Sequence, residues 1–225
     1  MFYRYIIKFD SGEERTIELH LDPATLSIVP RKNAYLPEWT LLDFEKCSVC
    51  PYPAAPGKHC PIAMNLAEVT NIFSDKSSIM KVDVRVITEA REYFKRTSLQ
   101  TALSSLIGIY MATSGCKVMD MLKPMARYHL PFASLGETTH RSVSSYLLLQ
   151  YLRKKKGLKP DWDLAKLKKA YKTIEELNVA IVNRVRKASK KDANSNAVII
   201  LDVFAKMVPW TITKGLTAKR LQMPE

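Results

Sequence analysis

Three of the chain's four cysteines, Cys47, Cys50 and Cys60, fall within fourteen positions in the stretch CSVCPYPAAPGKHCP. Thiolates are soft ligands, and the two residues between Cys47 and Cys50 let both sulfurs reach one metal ion without strain. The fourth cysteine, Cys116, lies far along the chain in MATSGCK. Four such ligands match a tetrahedral Cys₄ Zn2+ site or a [4Fe-4S] cluster. Cys47, Cys50, Cys60 and Cys116 are therefore the candidate metal and cofactor ligands. His59, beside Cys60, is an alternative zinc ligand. Cysteine precedes proline twice, at Cys50 and Cys60, and that pairing occurs in iron–sulfur ligand runs. Buried thiols also serve as plain core packing, above all Cys116 beside apolar helices. A thiol-redox CxxC needs a thioredoxin-like βαβ context, which is lacking here.

The surrounding residues suit such a site. Pro51, Pro53, Pro56 and Pro61 fix φ and remove backbone donors, so the spacing predicts no regular element from Asp43 to Cys60. A loop of that length inside a domain usually has a function. Pro61 suits a first helical position, which predicts Cys60 at a helix N-cap. Cys116 follows Ser114-Gly115 and is placed near the start of the next helix. Free N–H groups there favour a thiolate.

Elements must position these residues. FYRYIIKF alternates as a strand, DSGEE turns, and RTIELHL returns. MKVDVRVI and REYFKRT form a second hairpin. IAMNLAEVTNIF has helical spacing, as do the segment from Ser98 to Gly115, a short one from Lys117 to Tyr128, and Leu135 to Lys156. Asp163 is a candidate cap for a long amphipathic helix with Leu167, Tyr171, Ile174, Ile181, Val185 and Ala188 on its apolar face. A last helix from Ala193 to Val208, apolar on most sides, reads as central and is expected to end at Pro209. The fold class is α+β. A β-rich region with the Cys/Pro-rich loop (1–97) packs on a bundle of about five helices (98–225) as one cooperative unit.

Composition narrows the functions. Hydrophobic residues make up 47% and charged residues 25%, as in globular proteins. No uncharged apolar run reaches the roughly 18 residues of a transmembrane segment, and the N-terminus lacks the features of a signal peptide. The expected location is cytoplasmic, where thiols stay reduced. Net charge is +13, which permits nucleic acid or another anionic partner. The basic runs Arg153–Lys159, Lys166–Lys169 and Arg186–Lys191 lack interleaved aromatic residues and read as solvated helix faces. Glycine-rich phosphate loops, G-x-S-x-G and HExxH are all lacking. Glu137 and His140 form one Glu-x-x-His pair where a di-iron bundle needs two, so they read as a helix start. Arg127 and His129 either cap a helix end or line a pocket near Cys116.

LLDFEKCSVCP, HCPIAMNL, TSLQTALSSLIGIYMATSGC and KPMARYHLPFAS together resemble an uncharacterised bacterial protein family, a domain of unknown function. The resemblance covers nearly the whole chain and implies a bacterial cytoplasmic protein with all four cysteines inside the characteristic motifs. It brings no activity. Three readings follow. The first is a metal- or iron–sulfur-binding protein with a structural, sensing or electron-transfer role, with a protein partner left open. The second is a basic binding module with structural cysteines. The third is a redox enzyme that uses the cluster, with Arg127 and His129 at substrate.

Overall fold

The computed structural model describes residues 1–30, 36–53 and 55–215. Four strands, β1 (Phe2–Phe9), β2 (Glu14–His20), β3 (Lys81–Ile87) and β4 (Glu92–Ser98), form one antiparallel sheet in the order β2-β1-β3-β4. Alternation decides which face is buried. Tyr3, Tyr5, Ile7 and Phe9 of β1 point inward with Ile17, Leu19, Val82, Val84 and Val86. The opposite face is charged, and Arg4 meets its cross-strand neighbour Glu18 at 2.7 Å. At the sheet's edge, β4 carries Lys95 and Arg96 on an exposed strand, which discourages pairing with another chain.

Two helices cover the inner face. α1 (Pro61–Ile72) lies in the long connection from β2 to β3, and α2 (Leu99–Thr113) follows β4 directly. They bury Ile62, Leu66 and Val69 from α1 and Leu99, Leu103 and Leu106 from α2. α3 (Lys123–Arg127), α4 (Leu135–Lys155), α5 (Ala165–Ala188) and α6 (Ala193–Lys214) complete the bundle. One continuous apolar core runs from β1 to Val208. Gly108 permits the close approach of α2 and α6, because a Cβ there would meet Leu201 Cδ2 at 3.3 Å.

Local signals explain the helix starts. Ser134 and Glu137 form a capping box on α4, with Ser134 N–H donating to Glu137 Oε2 at 2.8 Å and Glu137 N–H donating to Ser134 Oγ at 3.3 Å. That accounts for Glu137, and such a box contributes about 1 kcal/mol. α5 is capped differently from the sequence expectation. Asp161, not Asp163, accepts from Ala165 N–H at 3.2 Å and Lys166 N–H at 2.8 Å. The chain then turns through Leu164 with φ 57°, so the cap reaches from further back.

Pro209 does not end α6. An interior proline loses its own N–H bond and crowds the carbonyl four residues back, at about 3 kcal/mol, but the flanking turns are held by Thr211 Oγ1 to Met207 O and Thr213 Oγ1 to Pro209 O, both 2.9 Å. Nor is α6 buried all round. Ala193, Ala197, Val198, Ala205 and Val208 face the core, while Val203 and Trp210 are exposed. By length and composition α6 could cross a membrane. In this fold it lies along α5 and α2. The segment expected as one helix from Lys117 to Tyr128 is a 3-10 turn at Asp120–Leu122 followed by the five residues of α3.

Candidate metal centre

The cysteine loop leaves and rejoins the fold at one place. Leu42 N–H donates to Lys58 O at 2.7 Å, Cys60 N–H donates to Thr40 O at 2.8 Å, and Leu41 bridges to His59. Residues 43–58 are thus a closed excursion. Within it, Cys50 N–H donates to Cys47 O at 3.1 Å, which folds the CxxC segment into one turn. The described residues between Asp43 and His59 form neither helix nor strand. Ala54 lies outside them.

Cys60 is the N-cap of α1, with Pro61 at the first position, and its carbonyl accepts from Met64 N–H at 2.9 Å. Its thiol therefore stands at the positive end of a helix. Cys116 is buried, three residues beyond the end of α2. Burial raises its pKa, and the backbone N–H groups of Val118 and Met119 in the turn that follows oppose that rise. Tyr52 Oη donates to Gly115 O at 2.9 Å. That bond ties the loop to the turn that carries Cys116, although 63 residues separate the pair.

All four cysteines are free thiols. Their ionisation is linked. Burial, then the neighbouring Cys50, Cys60 and Cys116, push the Cys47 thiol up to about 12. Cys116 is raised by burial first and also by Cys60 and Cys50. Cys47 and Cys116 would each feel negative charge on Cys50 and Cys60. Among the described residues, no group of three or more His, Cys, Asp or Glu side chains stands close enough to hold an ion. The loop and the Cys116 turn thus bring the sulfurs into electrostatic reach without closing them into one coordination sphere.

His59 has a defined orientation. Its Nδ1 lies 2.7 Å from Thr40 Oγ1, and that hydroxyl donates to Pro37 O at 2.6 Å. Thr40 must then accept from Nδ1–H, which leaves the Nε2 lone pair as the ligand-capable nitrogen.

Arg184 was not singled out by the sequence reading. It is 2% exposed, on α5. Nη1 donates to Trp39 O and Leu41 O, both at 2.6 Å, and Nη2 to Leu42 O at 3.2 Å. Its Nε has no partner among the described residues. Burial lowers its pKa, and negative charge on Cys60, Cys47, Glu45 or Cys50 would raise it again. Glu45 pairs with Lys187 instead. The sequence signal was present: Arg184 sits three residues after Ile181, on the apolar stripe.

Arg127 and His129 separate. Arg127 Nη2 donates to Pro23 O at 2.8 Å, at the surface. His129 turns inward, with Nε2 2.6 Å from Tyr5 Oη. Burial, reinforced by Arg141, lowers its pKa to about 3. The sign of the consequence is fixed. The unfolded chain takes up a proton near pH 6.5 and the folded chain does not until about pH 3, so stability falls as pH drops through that window. About 3 kcal/mol should be lost by pH 4. Thermal melts should show this slope, and His129→Gln should flatten it.

An α+β fold with a proline-stiffened cysteine loop anchored on a helical bundle defines the class of protein. Residues 1–223 match the family described as a domain of unknown function, DUF6901, and the chain belongs to that family. No curated protein and no solved structure gives a match.

Proposed function

We propose that the protein binds a metal centre, Zn2+ or [4Fe-4S], through Cys47, Cys50, Cys60 and Cys116, with His59 Nε2 as the alternative zinc ligand. The observation that carries this reading is Arg184. A guanidinium is always charged, and here it is buried beside thiols with no carboxylate pairing it among the described residues. Burying an unpaired charge is costly. Metal binding expels the thiol protons, and four thiolates around a divalent ion carry net charge of about −2. Such a site supplies the counter-charge that neutral thiols lack. The backbone N–H groups beside Cys116 and the helix end at Cys60 favour the same anionic state. Loading would draw the loop in against the Cys116 turn, along the path already set by Tyr52.

The nucleic-acid reading is weaker. Lys166–Lys169 lies at the start of the 24-residue α5 and Arg186–Lys191 runs past its end, about 25 Å apart at their nearest residues. They do not form one continuous basic stripe. The test is elemental analysis of anaerobically purified protein. One zinc per chain, or four irons with matching sulfide and broad visible absorbance, is expected. Protein without metal, and unable to take up either after incubation under reducing conditions, overturns the reading.

A further inference from the structure

The solvent side of α4 carries an exposed apolar stripe. The helix turns Val143, Tyr146 and Gln150 to the core. Leu148, Tyr151, Leu152 and Lys155 stand at i, i+3, i+4 and i+7, so they share the opposite face, and Leu149 flanks them. Leu148 is 60% exposed, and Leu149, Tyr151 and Leu152 are nearly half exposed. Single exposed leucines are ordinary, but a contiguous apolar row marks a contact surface.

The chain after α4 adds two more apolar groups and holds both in place. Gly157, with φ 72°, donates its N–H to Lys154 O, and Leu158 N–H donates to Arg153 O, both at 3.0 Å. These two bonds close the helix through a left-handed glycine and fix Leu158 beside its last turn, where it is about half exposed. Further on, Asp161 N–H donates to Gln150 Oε1 at 3.0 Å, and Asp161 Oδ2 accepts from Tyr146 Oη at 2.7 Å. Trp162 follows that pinned residue and is also about half exposed. A purely solvated loop gains nothing from a leucine and a tryptophan held outward.

Cations border the stripe. Lys154, Lys155, Lys156 and Lys159 are exposed, and Lys155 Nζ stands 5.0 Å from the Tyr151 ring centroid. No acid occurs in the sequence between Glu137 and Asp161. Asp161 is engaged by Tyr146 and by the start of α5, and Asp163 is the next exposed acid along the chain. A second copy of this chain would set the same lysines against one another, so charge opposes self-association through this face. We propose that the C-terminal half of α4 and the loop to Trp162 dock on an anionic phospholipid bilayer. The helix lies flat on the surface, with Leu148 and Leu152 toward the acyl boundary and Tyr151 and Trp162 at headgroup level. The lysine stems run along the apolar groups and place their ammonium groups among the lipid phosphates. The proposal does not depend on the metal centre.

Vesicles of phosphatidylglycerol and phosphatidylcholine in equal parts, and of phosphatidylcholine alone, are the probes, added to the full-length protein as purified. The protein should float with the anionic vesicles far more than with the neutral ones, and rising salt should weaken the binding. Leu148→Gln/Leu152→Gln keeps every charge and should weaken binding at least about tenfold, the ratio expected when two leucines no longer leave water. Lys155→Gln/Lys156→Gln should weaken it about fivefold for each charge removed. Lys190→Gln/Lys191→Gln removes the same charge beyond the far end of α5 and should change it less than about twofold. Brominated lipid should quench tryptophan emission, and Trp162→Phe should lose most of that quenching. No flotation with anionic vesicles, equal flotation with neutral ones, unchanged binding by the leucine variant, or equal losses from the two lysine variants overturns the proposal. Dimerisation that the leucine variant abolishes, without flotation, assigns the face to a second copy and overturns it as well. If the leucine variant does not fold, quenching decides: unchanged in Trp162→Phe, it ends the proposal.

Discussion

Cys116→Ser is expected to abolish metal retention and to make stability insensitive to chelators. A ligand that binds only the folded state stabilises it by about 4 kcal/mol when present at a thousand times its Kd. Stripping the wild type should therefore lower its unfolding free energy by about that amount. The variant should already stand at the lower value and should not respond to a chelator. If Cys116 were core packing alone, the substitution would destabilise the loaded and stripped proteins equally, and metal content would not change. Urea denaturation with and without chelator separates the two outcomes. Proton release supplies an independent sign. Cys47 is pushed up to about 12 and Cys116 is raised, both chiefly by burial. These two thiols are protonated at neutral pH, and loading must displace their protons. Metal affinity should strengthen from pH 6 to pH 8. An affinity independent of pH would contradict thiol ligation.

Much of the architecture was legible because it rests on short-range rules. Period-two alternation in FYRYIIKF and MKVDVRVI placed β1 and β3, and Pro61 after Cys60 marked the start of α1. The failures came where a partner distant in space overrode a local signal. Asp163 was the nearest acid to the start of α5, but the cap is Asp161, which Tyr146 Oη on α4 holds at 2.7 Å. Pro209 read as a stop because local rules forbid it, but the packing of α6 along α2 and α5 retains the helix.

The candidate site divides in the same way. The CxxC spacing, the proline-rich loop and the N-cap position of Cys60 could be read along the chain. That Tyr52 reaches Gly115, and so sets the loop beside Cys116, could not, because nothing local fixes a contact across 63 residues. Asn178 and Arg184 were legible only as exceptions. Both interrupt the stripe that Ile174, Ile181 and Val185 define on α5. Neither was expected to be buried from the sequence, and the three carbonyls of residues 39–42 that receive Arg184 lie too far along the chain for any local pattern to show.

Arg184 should accordingly tolerate little. Its two Nη groups donate to three carbonyls, those of Trp39, Leu41 and Leu42, in the segment that leads into the cysteine loop. Arg184→Leu removes the buried charge but leaves those acceptors without their donor, at about 1–3 kcal/mol for each one that water cannot reach. A loss of about 3–5 kcal/mol in urea denaturation is expected. Arg184→Lys should recover less than half of it, because one ammonium cannot reproduce the planar fork. The two variants should also differ in their response to metal. If Arg184 balances anionic thiolates, Arg184→Leu should weaken metal binding beyond its effect on folding, and Arg184→Lys, which retains the charge, should restore affinity more than stability. Equal recovery of both quantities by lysine would mean that Arg184 acts only as a clamp on the 39–42 backbone.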